Sequence, residues 1–99
     1  MDFELLDGYL LSGTPSKSDV VRELLRRRPA AEGAAPFYEG MERLGSRIPD
    51  LGLIALRLVL SGRKADDGIV SRLRDVVARA RAGDAPARQE YRDLLMPLT

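Results

Sequence analysis

"PDLGLIALRLVLSG", Pro49 to Gly62, decides how this chain is read. Between Leu51 and Leu60 only Arg57 is strongly polar. The run is too short to cross a bilayer, which takes roughly 20 apolar residues. It is also too apolar for an ordinary surface helix, which sets one apolar stripe against a polar face. Pro49 and the pair Ser61 and Gly62 bound it, and Asp50 is placed to cap its start. On a wheel of about 100° per residue, Leu51, Ala55 and Leu58 form one stripe, joined by Ile54. Leu53, Leu56 and Leu60 form a second on nearly the opposite side, with Val59 and Arg57 in the gaps between them. Two arrangements satisfy this pattern. The segment is the central helix of a small core, or one stripe faces the domain and the other faces a partner chain.

Working outward, the flanks read as further short helices separated by Gly and Pro. No useful run alternates with period two, so strands are not expected. Phe3, Leu6 and Leu10 share a face of a first helix, Phe3 to Leu11, with Leu5 and Tyr9 beside them; Ser12 to Pro15 breaks it. Ser16, with Asp19 three residues on, opens a second helix. Val20, Val21, Leu24 and Leu25 are its stripe, and Arg26, Arg27 and Arg28 suit the negative end of its dipole. Pro29 stops it, and residues 30–35 are a linker. Pro36 suits the first turn of a third helix, with Phe37, Met41, Leu44 and Ile48 at helical spacing. Beyond the opening stretch, Asp66 caps a fifth helix. Its stripe is Ile69, Val70, Leu73, Val76, Val77 and Ala80, while Arg72, Arg74, Asp75, Arg79 and Arg81 point away. Gly83 fits a left-handed C-terminal cap. Asp84 and Pro86 restart a sixth helix with Tyr91, Leu94, Leu95 and Leu98 on one face, limited by Pro97.

The expected fold is therefore all-α, in one domain spanning residues 1–99. It holds about six short helices in antiparallel hairpins, as an α-solenoid-like, tetratricopeptide-like unit or as a compact bundle. No strict repeat is visible. A chain of 99 residues has a thin core.

Composition narrows the function. The chain is 44% hydrophobic and 31% charged, with a net charge of +1, so no broad field draws it to nucleic acid or anionic lipid. It has no Cys and no His, which excludes disulfides, thiol or His-based catalysis and Cys/His zinc sites. Met1, Asp2, Phe3 and Glu4 do not read as a secretory leader, so the expected location is the cytoplasm. Asp66 with Asp67, or Glu39 with Glu42, are the available carboxylate pairs. Adjacent acids at a helix start are read as caps, and no enzyme is expected. Arg26 to Arg28 lack the interleaved aromatics that stacking on single strands needs. A second reading stays in view: "PSKSDVVRELLRR", Pro15 to Arg27, looks like the start of the second helix of ribbon-helix-helix DNA-binding regulators. That fold needs a strand before it, and "FELLDGYLLSG" carries no alternating basic residues.

The opening stretch, followed by "IVSRLRDVVARARAGDAPARQEYRDLL" (Ile69 to Leu95), resembles the C-terminal part of the larger needle-subunit chaperone of bacterial type III secretion systems. "YLLSGTPSKSDVVRELLRR" (Tyr9 to Arg27) is similar to that family's first helix, turn and second helix. The middle, Pro29 to Ile48, is a helix shorter than the family's pattern. The resemblance implies a tetratricopeptide-like chaperone whose apolar groove clasps an amphipathic helix of the needle subunit, aided by a small helical co-chaperone. This is helix-in-groove recognition, and it needs no cofactor. The residues expected to line the groove are Phe37, Met41, Leu53, Leu56 and Leu60, with Arg57 at the rim. Without its partners such a chain is expected to self-associate. A helical homo-oligomeric adaptor is the remaining alternative.

Overall fold

The computed structural model describes residues 3–28 and 30–96. Among them are six helices and one 3-10 turn: α1 (Phe3–Ser12), α2 (Lys17–Arg27), α3 (Ala35–Leu44), the turn Gly45–Arg47, α4 (Asp50–Leu60), α5 (Asp67–Arg81) and α6 (Ala85–Leu95). Local chemistry explains most of the boundaries. The Asp19 amide donates to Ser16 Oγ at 3.3 Å, and the Gly68 amide donates to Asp66 Oδ1 at 2.8 Å. Each bond satisfies an amide that the first turn of a helix leaves without a partner. Arg28 closes α2 in the left-handed region, at φ 39°, with its amide on the Leu24 carbonyl at 2.7 Å. Gly83, at φ 99°, follows α5, where a residue without a Cβ turns the chain at little steric cost.

Three local expectations are corrected. The third helix does not run through to Ile48: Gly45 takes a positive φ of 57° and ends it, and the 3-10 turn carries Ile48 into the core instead. Asp50 is not the cap of α4. Pro49 holds that position and Asp50 is the first helical residue, its carboxylate turned to other helices. Arg81 does not point away; it reaches back to the end of α1, donating to the carbonyls of Leu10 at 2.8 Å and Tyr9 at 3.0 Å. A cation there meets the negative end of a helix dipole. Pro29, Pro97 and Leu98 lie outside the described residues.

Helix α1 decides between bundle and solenoid. In a solenoid each unit touches its sequence neighbours. Here α1 packs on α2 but also on α4 and α5, and α4 and α6 both pack on α5. The first helix thus folds over the last part of the chain and closes one core, so the architecture is a compact all-α bundle. Leu6, Leu10, Val20, Met41, Leu53, Leu56, Leu58, Leu73, Val76 and Ala87 are all fully buried in it. Size agrees with closure. The radius of gyration is 12.6 Å, against about 12.6 Å for a self-contained chain of this length. The accessible surface is 5867 Å², against about 5600 Å² for a monomer of this mass.

Two polar clusters tie the helices together. Asp50 accepts the Tyr9 hydroxyl at 2.8 Å and pairs with Lys17 at 2.9 Å and Arg81 at 3.1 Å, so one carboxylate joins α1, α2, α4 and α5. Partial burial opposes its charge, but Lys17, Tyr9 and Arg81 together override that and hold its carboxyl below the ordinary range. The other cluster surrounds Arg57.

Candidate functional site

The question set by Pro49 to Gly62 has a different answer from either stripe. Leu53, Leu56 and Leu58 have no exposed surface, Ile54 has almost none, and Leu60 is buried. Both expected stripes therefore contribute to this chain's own core. What remains outside is a sector about 100° wide made of Leu51, Gly52, Ala55 and Val59. Leu51 is 42% exposed and the other three are half-buried.

Arg57 explains why the wheel divides this way. It is 7% exposed, on the inward side of α4. Its Nε donates to Asp7 Oδ1 at 2.7 Å and a terminal nitrogen to Asp7 Oδ2 at 3.3 Å, a forked pairing with α1. Its other terminal nitrogen donates to Ser61 Oγ, and the guanidinium lies 3.8 Å over the Phe3 ring. The Tyr91 hydroxyl from α6 donates to Asp7 Oδ1 as well. Burial first, and then the Asp7 charge, push the Tyr91 hydroxyl far above the usual phenol range, so it stays a neutral donor. Geometry and chemistry agree: a buried cation is tolerable when a carboxylate and further hydrogen bonds surround it. The cluster binds α1, α4 and α6 to each other.

The residues expected to line a partner groove are accordingly relocated. Met41, Leu53 and Leu56 have no exposed surface and pack in the core. Arg57 is interior rather than at a rim. Phe37 is partly buried against the core, and Leu60, 6% exposed, borders an open cleft. The bundle closes over these side chains, so in this conformation they do not form an open groove. The residues that do face outward, Leu51 and Val59, belong in the sequence pattern to one of the two stripes and to a gap between them. A lone Arg on an apolar helix ordinarily marks the wet side; here it marks the dry one.

The cleft has a volume of about 590 Å³ and is lined by Ala31, Glu32 and Gly33 on one side and Gly62 to Ala65 on the other, with Val59 and Leu60 between. A Cβ built on Gly33 would stand 3.7 Å from Val59 Cγ1, so the loop before α3 lies against the end of the outer sector. Arg63 is engaged there, donating to the carbonyls of Leu94 and Met96. Lys64 is exposed and makes no ion pair among the described residues. In a second depression, beside Glu4, Leu5 and Pro15, Arg22 pairs with Asp19, and Arg27 with Glu23 at 2.6 Å.

Among the described residues, no group of three His, Cys, Asp or Glu is placed to hold a metal ion, and no helix is long and apolar enough to cross a membrane. The segment before Pro15 is helix α1, where a ribbon-helix-helix regulator requires a strand. Comparison with protein-family models, with curated proteins and with solved structures finds no match to this chain.

Proposed function

We propose that this chain is a helix-binding chaperone or adaptor. Its client is a small helical protein of the needle-subunit type, held together with a small helical co-chaperone so that the subunit does not assemble with itself. One observation carries this reading. Helix α4 carries no unpaired charge: Arg57 is buried against Asp7, and the partly exposed Asp50 is paired with Lys17 and Arg81. Each of the other five helices presents charged side chains to water, among them Glu4, Arg22, Glu39, Arg74 and Arg92. An amphipathic helix laid along Leu51, Ala55 and Val59 would meet no desolvation penalty from a buried charge. Docking on this face replaces docking in a groove of Phe37, Met41, Leu53, Leu56 and Leu60.

The energetics suit a client that must be released. Full burial of a Leu or Val is worth roughly 1.5–3 kcal/mol, and less than half of Leu51 remains to be covered. The exposed portions of Leu51, Ala55 and Val59 together contribute about 2 kcal/mol, less than the roughly 4–15 kcal/mol that association costs, so the client's own apolar side chains and the co-chaperone supply the rest. The test mixes the purified chain with a needle subunit and its co-chaperone and follows polymerisation by light scattering. Polymerisation is expected to be suppressed by the native chain and not by Leu51→Arg, a variant with unchanged melting. Equal polymerisation with and without the chain refutes the proposal. A chain that forms stable dimers abolished by Leu51→Arg favours the homo-oligomeric adaptor instead.

A further inference from the structure

We infer that α1 is the built-in occupant of a helix-binding groove formed by α4, α5 and α6, and that the partner able to replace it is an acidic, apolar helix of the same pattern. The groove is a different surface from the outer sector of α4, and the inference stands or falls apart from docking there.

The contacts of α1 have the chemistry of a bound helix. Its charged residues are two carboxylates, Glu4 and Asp7, and it carries no cation. The three helices facing it each supply one. Arg57 of α4 holds Asp7, Arg81 of α5 holds the carbonyls of Tyr9 and Leu10, and Arg88 of α6 donates to Ser12 Oγ at 3.2 Å. The Arg57 and Arg81 guanidiniums also lie over the Phe3 and Tyr9 rings, at 3.8 and 4.8 Å. Between these polar links Leu6 and Leu10 are fully enclosed and Leu11 is buried. On the groove side, Leu53 and Ile54 stand one turn before Arg57, and Val77 one turn before Arg81, all of them buried. Apolar anchors in a groove, with charge pairs fixing register, are the mode by which one protein holds the helix of another.

Gly8 makes α1 an imperfect occupant. A glycine inside a helix weakens it. A Cβ at Gly8 would stand 2.7 Å from the Thr14 carbonyl oxygen and 3.7 Å from Pro15 Cδ, and its three nearest atoms all belong to the turn between α1 and α2. The covalent connection, not the groove, therefore demands the glycine. When α1 lifts, that turn lifts with it, and a helix from another chain is free to carry a better helix former there. The advantage of α1 is its tether, which gives it an effective concentration of the order of millimolar. The competing helix carries a carboxylate with leucines one residue before it and three and four residues after it, and no glycine between.

The experiment adds end-blocked synthetic peptides of residues 3–13 to the full chain. In Asp7→Ala the tethered α1 no longer satisfies Arg57. The native peptide is expected to raise the melting temperature of that variant by about 4–8 °C, and the Asp7→Asn peptide to fall well short of this. The Gly8→Ala peptide is expected to bind about 2- to 5-fold more tightly than the native one, although the same change within the chain destabilises it. Hydrogen exchange on the native chain needs no variant to fold. There the amides of residues 7–12 should exchange at least about 10-fold faster than those of residues 73–80, by opening of α1 alone. Equal exchange of the two segments overturns a displaceable α1. Equal shifts from the native and Asp7→Asn peptides overturn the acidic partner, and no shift from either overturns the groove. Weaker binding of the Gly8→Ala peptide overturns the account of Gly8. A dimer of the native chain that the peptide dissociates assigns the groove to a second copy and overturns a separate partner.

Discussion

Asp7→Ala is the perturbation that most directly probes how this bundle holds together. The Arg57 side chain is 9% exposed and that of Asp7 27%. Removing the carboxylate strands a guanidinium inside α1, α4 and α6 with only Ser61 and the Phe3 face for company, and takes the acceptor from the Tyr91 hydroxyl. Breaking a buried pair from one side costs about 3–5 kcal/mol. Asp7 is open to some water and Ser61 remains, so the lower end applies, about 3 kcal/mol. In a chain of this size that lowers the melting temperature by roughly 12–24 °C, a large share of a stability of about 5–15 kcal/mol. Tyr91→Phe removes one hydrogen bond and costs about 1 kcal/mol. The double variant Asp7→Leu with Arg57→Met removes both charges and is expected to be more stable than Asp7→Ala alone. Urea unfolding followed by circular dichroism measures all three. A loss below about 1 kcal/mol for Asp7→Ala refutes the reasoning, because the pair would then behave as a screened surface bridge.

Further outcomes follow from other contacts. Leu56→Ala is expected to cost about 2–5 kcal/mol, and Leu56→Glu to unfold the chain, because Leu56 is fully enclosed; a folded Leu56→Glu protein by circular dichroism would place Leu56 at an open surface. Gly8→Ala and Gly52→Ala should move melting in opposite directions. A Cβ at Gly8 would lie 2.7 Å from the Thr14 carbonyl oxygen, a clash worth about 1–3 kcal/mol, whereas Gly52→Ala should gain about 0.5–1 kcal/mol through helix propensity. The Asp50 carboxyl is held below its ordinary pKa, so its stabilisation is complete above that ordinary value and is lost as pH falls through the lower folded one. The stability gap between the native chain and Asp50→Asn should therefore be constant near neutrality and shrink below about pH 4; a gap that grows on acidification contradicts the assignment.

Helix number, most helix ends and most of the core were legible because they depend on local spacing. Ser16 and Asp66 cap, Gly83 turns the chain, and the α5 stripe of Val70, Leu73, Val76, Val77 and Ala80 is buried. The candidate surface was not legible, and Arg57 is the reason. Its inward placement depends on Asp7, fifty positions earlier, and on Tyr91, on the last helix. Within α4 nothing signals that partner. The wheel could be divided into two stripes by hydrophobicity, but only the positions of α1 and α6 determine which way the helix is turned.

The sequence by itself determined an all-α chain punctuated by Gly and Pro, because capping, helix breaking and amphipathic period act over a few residues. Only the tertiary structure decided that α1 closes over α4 and α5, that Leu53, Leu56, Leu58 and Leu60 from both stripes of α4 are interior, and that Leu51, Gly52, Ala55 and Val59 face outward. The physical reason is that a buried ion pair and a shared core are properties of segments brought together from distant parts of the chain. A charge that reads as surface when its helix is considered alone becomes interior once folding supplies its counter-charge.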